Sequence, residues 1–182
     1  QEFGDALLIL DGGACAVGIE STIVDCSRGA PVLLRPGVLT PEQIEAACGC
    51  KLFAREELPG ADAALGAPAP RASGTLASHY APNAKVRLMD AKAIQTALDL
   101  LGTDLDRSGA RIALYSRAIL RSRSKRVMQR RMPDDAGATA RQLFAVLREF
   151  DAQGATLIWV ETLPAGAEWD GVRDRLQRAS AA

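Results

Sequence analysis

The sequence has a single histidine, His79, and aromatic side chains make up only 4% of its residues. That leaves little material for a histidine metal centre or for a platform on which bases stack. The four cysteines, Cys15, Cys26, Cys48 and Cys50, all lie in the first third. Cys48-Gly49-Cys50 is a C-x-C rather than a zinc-binding C-x-x-C, so no metal site is expected. Cys26, at the end of an apolar run, reads as a small buried hydrophobe. The longest apolar runs, such as 6–10 and 156–160, are strand-sized and far short of the roughly 20 residues that cross a bilayer; no membrane partner is expected. Gln-Glu-Phe-Gly-Asp at the start carries no basic region and apolar core of a secretory signal. The expected setting is therefore the cytoplasm, with reduced thiols. Without an initiator Met, and entering directly on an apolar run, the chain reads as an excerpt of something longer. Also missing are a G-x-G-x-x-G, a Walker A loop, a G-x-S-x-G elbow and a Cys-His catalytic signature.

What is present is a globular balance of 48% hydrophobic and 24% charged residues in 182, which excludes wholesale disorder and fibrous repeats. The net charge of zero hides an asymmetry. Residues 1–66 carry four basic against ten acidic side chains. No acidic residue lies between Asp106 and Asp134, where Arg107, Arg111, Arg117, Arg121, Arg123, Lys125, Arg126, Arg130 and Arg131 accumulate. Such a field attracts phosphates, and it equally serves as a solvated face.

Punctuation by Gly and Pro sets off strands at 7–11, 22–26 and 32–35. A helix over 41–48 is marked by Thr40 as N-cap, Pro41 at the first position, Gln43 completing a capping box and Gly49 as the stop. Residues 58–71 turn to Pro, Gly and Ala and read as linker. Beyond it, strands at 85–90, 110–115 and 156–161 alternate with helices at 91–101, 136–153 and 169–179, and 127–132 adds an edge or rim strand. The expected fold is α/β. Residues 1–52 form an incomplete α/β piece, 53–83 an extended linker, and 84–182 a small doubly wound, mostly parallel Rossmann-like domain. Asp11-Gly12-Gly13 follows an apolar run but has no helix after it, so it reads as a β-turn.

The most unusual run is Gly18-Ile19-Glu20-Ser21-Thr22-Ile23-Val24-Asp25, whose hydroxyls open an apolar strand. Arg35-Pro36-Gly37 ends the next strand, with Pro36 biasing Arg35 to extended backbone. If the two strands are antiparallel neighbours, Ser21 and Arg35 share one end. Two hydroxyls and a bidentate guanidinium there make an anion cradle for phosphate or carboxylate. A capped strand and a surface arginine have the same spacing.

Taken in order, Asp11-Gly12-Gly13, the run from Gly18 to Asp25, Leu34-Arg35-Pro36-Gly37 and Ser78-His79-Tyr80-Ala81-Pro82 resemble the threonylcarbamoyl-AMP synthase family in its two-domain form. That family joins a YrdC-like catalytic domain to a Rossmann-like domain through an H-Y-A-P linker. The resemblance implies that residues 1–52 are the last part of the catalytic domain and that the chain is a C-terminal fragment, inactive alone. It implies a parent nucleotidyltransferase that converts ATP, L-threonine and bicarbonate to threonylcarbamoyl-AMP and pyrophosphate. That activity serves tRNA threonylcarbamoyladenosine formation, with tRNA-modification proteins as partners and magnesium accompanying ATP; no cofactor is expected on the fragment itself.

By the same resemblance Ser21 falls at the L-threonine site, and Arg35, Thr22 and Tyr80 at the ATP site. His79 belongs to a linker that folds over the cleft as a lid, or that only pins the linker in place. No residue is assigned a covalent catalytic role. The linker departs from the family pattern S-P-G-M-K-Y-R-H-Y-A-P: residues 72–82 read Ala-Ser-Gly-Thr-Leu-Ala-Ser-His-Tyr-Ala-Pro, without its basic and first aromatic positions. The alternative function is an RNA-binding or regulatory module. In it Arg117, Arg121, Arg123, Lys125, Arg126, Arg130 and Arg131 meet the phosphates of tRNA or double-stranded RNA.

Overall fold

The structure, a computed structural model, describes residues 8, 10–13, 15–27, 29–54, 57 and 81–181. Two sheets organise them. In the first, β1 (Ile23–Asp25) pairs antiparallel with β2 (Val32–Arg35), and β2 pairs parallel with β3 (Phe53–Ala54). Helix α1 (Pro41–Cys48) makes the crossover. Its ends are those the local sequence dictates. Thr40 Oγ1 accepts from the Gln43 N–H, Gln43 Oε1 accepts from the Thr40 N–H at 2.9 Å, and Gly49 turns left-handed at φ 70°. With β3 paired to Val32 and Leu33, the first sheet runs on to Ala54.

The second sheet is wholly parallel in the order β4-β7-β5-β6, with β4 Lys85–Met89, β5 Ile112–Ser116, β6 Val127–Arg131 and β7 Leu157–Glu161. Helices α2 (Ala91–Leu101) and α3 (Leu105–Ser108) cover one face, where Ile94, Leu98 and Leu105 pack with Ile112, Leu114 and Trp159. Helices α4 (Ala136–Ala152) and α5 (Asp170–Ser180) cover the other, where Leu143, Phe150, Val172 and Leu176 pack with Tyr115 and Ile158. Alternate residues of each strand face opposite cores, so the central strand β5 is buried throughout. This is the doubly wound α/β arrangement expected for 84–182. The extra strand is β6, at an edge, with Gln129, Arg130 and Arg131 exposed.

Two expectations are corrected. Leu8 and Leu10 to Gly13 form no strand, and Leu8 and Leu10 are 86% and 89% exposed. A strand forms only where a neighbour takes up its backbone hydrogen bonds, and among the described residues none lies alongside. Asp11-Gly12-Gly13 does turn, with the Gly13 N–H donating to Asp11 Oδ1 at 2.8 Å. Cys26 is exposed, not buried. The buried end of β1 is Asp25, whose Oδ1 accepts from the N–H and hydroxyl of Ser27 at 2.9 and 2.6 Å and so folds the hairpin turn.

The two parts meet through glycines. Ile19 is buried in the same core as Val172 and Leu176. A Cβ on Gly18 would lie 2.1 Å from the Ala140 carbonyl oxygen of α4, and one on Gly171 would lie 3.2 Å from Ile19 Cγ2 and 3.4 Å from the Gly37 oxygen. At the far end of α4, Asp151 accepts the N–H groups of Asn83 and Ala84 at 2.8 and 3.0 Å and fixes the entry to β4.

Leu143, 0% exposed between α4 and the sheet, and Leu100, 82% exposed on α2, separate packing from helix propensity. Leu143→Ala is expected to lower stability by about 2–5 kcal/mol, and Leu100→Ala to change it by less than about 0.5 kcal/mol, in urea unfolding followed by circular dichroism.

Candidate functional site

The hairpin end carries the candidate site. Ile23 is the register partner of Arg35, so the residues just before β1 and the residue closing β2 lie at one end. The chain then returns over Ser21. The Val38 N–H donates to the Glu20 carbonyl at 3.2 Å, and a Cβ on Gly37 would sit 2.4 Å from Ser21 C and Thr22 N. Only glycine permits that approach. Thr22 completes the closure, its hydroxyl donating to the Leu39 carbonyl at 3.1 Å and accepting from the Leu39 N–H at 3.2 Å. Thr22 thus clamps the loop and does not present a spare donor. Ser21 is exposed and Arg35 half-buried.

A residue that local sequence did not reveal joins them. Arg175 of α5 donates from Nη1 to the Pro36 carbonyl at 3.5 Å, with its side chain only 10% exposed. Burial pushes its pKa down, Asp174 beside it pulls the pKa up, and the nearby Arg35 and Arg178 charges lower it again. Asp174 also binds Arg178, Nη2 to Oδ1 at 2.8 Å. Two guanidiniums, Arg35 and Arg175, therefore adjoin Pro36, one from each part of the molecule. Such an end suits an anion with several oxygens. Beside it a cleft of about 330 Å³ opens between the two parts, lined by Val17, Ile19, Gly37, Val38, Arg141 and Glu168 among others. It is mostly apolar and includes neither Ser21 nor Arg35.

At the carboxyl ends of the parallel strands, where doubly wound sheets commonly hold ligands, the chain binds a carboxylate of its own, beside a cavity of about 190 Å³ lined by Ser116, Ala118, Gln129 and Arg131 among others. Glu161 Oε2 accepts from the Ser116 hydroxyl at 2.6 Å and from the N–H groups of Arg117 and Ala118 at 2.8 and 3.0 Å. Its Oε1 pairs with Arg117 Nη2 at 2.6 Å. Burial works to raise the carboxyl, but the Ser116 hydroxyl, the Ala118 N–H and the Arg117 charge and N–H outweigh it and hold it below the ordinary 4.5.

The basic stretch divides. Arg117 is taken by Glu161, Arg130 by Glu149 and Arg131 by Asp134. Arg126 reaches the Gly109 carbonyl at 3.5 Å, and Arg121, Arg123 and Lys125 are exposed in the β5–β6 connection. His79 and Tyr80 lie outside the described residues. Among the described residues no group of three or more His, Cys, Asp or Glu is placed to hold a metal ion. The hydroxyls and guanidiniums at the hairpin end do not fit magnesium, which takes oxygen ligands of carboxylate type. Nor, among them, is any helix long and apolar enough to cross a membrane.

An arginine-bearing hairpin sealed by glycine contacts onto a parallel α/β unit defines a two-part protein rather than a free-standing dinucleotide-binding domain. Residues 39–181 match the family described as "Threonylcarbamoyl-AMP synthase, C-terminal domain", and the chain belongs to that family. Curated threonylcarbamoyl-AMP synthases are similar along nearly its whole length. The Schizosaccharomyces pombe protein is 30% identical over 97% of this chain and 46% of its own, and the Bacillus subtilis protein 28% identical over 94% and 48%. The crystal structure of Pyrococcus abyssi Sua5 complexed with L-threonine superposes with a TM-score of 0.69 at 28% identity, covering 93% of this chain and 48% of that one. The chain thus spans about half the length of the relatives it matches.

Gly37→Ala is expected to break the Thr22–Leu39 closure, seen as faster hydrogen exchange at the Leu39 amide. Gly12→Ala, placed in open space, should leave that exchange unchanged. Because its carboxyl is held low, Glu161 adds stability that is present above pH 4.5 and is lost as pH falls through its folded value. Glu161→Gln should therefore cost about 1–3 kcal/mol at pH 7, with the cost shrinking as pH falls through the folded value of the carboxyl, in urea midpoints measured across the acid range.

Proposed function

We propose that the whole protein of which this chain is part is an L-threonylcarbamoyladenylate synthase. It condenses ATP, L-threonine and bicarbonate to threonylcarbamoyl-AMP with release of pyrophosphate, for threonylcarbamoyladenosine formation in tRNA. On this reading tRNA-modification proteins are its partners, the cytoplasm is its place, and residues 1–52 are the end of the catalytic domain. The observation that carries the proposal is the shared hairpin end, where Arg35 closes β2 opposite Ile23 and the Thr22–Leu39 closure fixes the loop beside Ser21. The family match and the threonine complex of the P. abyssi protein support it.

Adenylate formation needs negative charge offset as pyrophosphate leaves, and a fixed guanidinium supplies that without a covalent nucleophile. Arg35 does this on the nucleotide side and Ser21 holds threonine. Thr22 serves the ATP site indirectly, through the loop it closes. Arg175, a positioning residue, holds the Pro36 backbone. His79 and Tyr80 form the lid that keeps water from the labile carbamate and mixed anhydride. A further solved P. abyssi Sua5 carries alanine at an adjacent His-Tyr pair, and His79-Tyr80 is the one such pair in this sequence, which supports a shared role for it. Magnesium would arrive with ATP, and no step here is routed through it. The RNA-binding alternative finds no support in the relatives, and ion pairs at Arg117, Arg130 and Arg131 already draw on its basic stretch.

In the full-length protein, ATP turnover should require both threonine and bicarbonate, and Arg35→Ala should lower it roughly a hundredfold with the fold retained. Pyrophosphate release measured with each substrate omitted decides the matter; undiminished release from the variant would sink the assignment.

A further inference from the structure

The carboxyl end of α1 holds a feature that the anion site does not use. Cys48 is the last residue of the helix, Gly49 turns the backbone left-handed at φ 70°, and Cys50 follows. That reversal brings the two sulfurs to 3.2 Å. Cys48 Sγ also lies 3.6 Å from the Cys50 carbonyl oxygen. Both side chains are exposed, so a small reagent reaches them. Since a disulfide measures about 2.05 Å between sulfurs, closure asks for about 1 Å of approach. Glycine at the intervening position provides the backbone freedom for it.

The two thiols are chemically distinct. A hydrogen bond from Cys50, with help from the Cys50 backbone, holds the Cys48 thiol below its ordinary value. The same hydrogen bond pushes the Cys50 thiol up, and desolvation with the charges of Cys48, Cys26 and Glu45 adds to the effect. One sulfur is thereby disposed to attack and the other to resolve. Cys26, the third thiol in the neighbourhood, is the internal competitor.

We propose that Cys48 and Cys50 form a thiol–disulfide exchange site that takes low-molecular-weight disulfides of the glutathione type and closes to an internal Cys48–Cys50 bond. The Cys48 thiolate attacks one sulfur of the disulfide RS–SR. That S–S bond breaks, RS⁻ leaves and takes a proton, and Cys48 carries the mixed disulfide. Cys50 then gives up its proton and attacks Cys48 Sγ, expelling the second RS⁻. Two protein thiols are oxidised and one RS–SR is reduced to two RSH. The site does not depend on the synthase reading.

The test exposes the chain to oxidised glutathione, quenches with an alkylating agent and maps the peptides by mass. The peptide bearing Cys48 and Cys50 is expected to lose two hydrogens and carry no glutathione. Cys50→Ser should trap glutathione on Cys48, whereas Cys48→Ser should slow reaction at position 50 about tenfold. Thermal melts of both serine variants confirm that they fold. Independent glutathione adducts on the two cysteines at the rate of Cys15, or a Cys26–Cys50 bond in place of the internal pair, would overturn the proposal.

Discussion

The rest of the molecule depends on a backbone-to-backbone approach. Gly18 lies against α4 so closely that a single methyl would meet the Ala140 carbonyl, and Gly171 brings α5 against Ile19 and Gly37. Side chains at those points would hold the two parts apart. Without them Ile19 enters the core of the second domain and Arg175 reaches Pro36. The turn that presents Arg35 is therefore gripped from both sides. Thr22 holds it through Leu39, from within its own sheet, and α5 holds it from the neighbouring domain. A hairpin of a three-residue and a four-residue strand has little stability of its own, and this support gives it a fixed shape.

The second domain is a parallel α/β unit, and at the carboxyl ends of its strands it binds a carboxylate of its own. Where a ligand's anionic group would meet backbone N–H groups at the end of β5, Glu161 supplies the carboxylate itself. Arg117 neutralises it and stacks toward Trp169, 6.0 Å from the ring centre. The N–H groups of Arg117 and Ala118 are thereby taken by the chain itself.

Much of this was legible in the sequence, and the physical reason is locality. The start and stop of α1 follow from Thr40, Gln43 and Gly49, each acting on backbone within four residues. The alternation of strands and helices after Lys85 follows from apolar periodicity, and the pairing that sets Arg35 opposite Ile23 follows from a short antiparallel hairpin. Features that depend on distant chain were not readable. Two residues, Phe53 and Ala54, make a strand only because β2 offers an edge, and no periodicity exists in two residues. The run at 7–11 has a strand's pattern but no neighbour among the described residues. Arg175 sits in a helix rich in charge, where nothing local marks it as the residue that will touch Pro36. The seven-residue basic cluster read as one field, yet distant Glu161 and Glu149 take Arg117 and Arg130 out of it and Asp134 pairs with Arg131.

Helix α1 has no buried residue. Its eight residues are secured at their two ends, by the Thr40–Gln43 box and the Gly49 cap, and not by a packed face. A helix of that kind opens by fraying, at a free-energy cost set by its caps and far below that of dissolving the core. The sulfurs at and just past its last turn therefore belong to a segment that opens at low cost, and their chemistry can run its course while the sheets beneath stay intact.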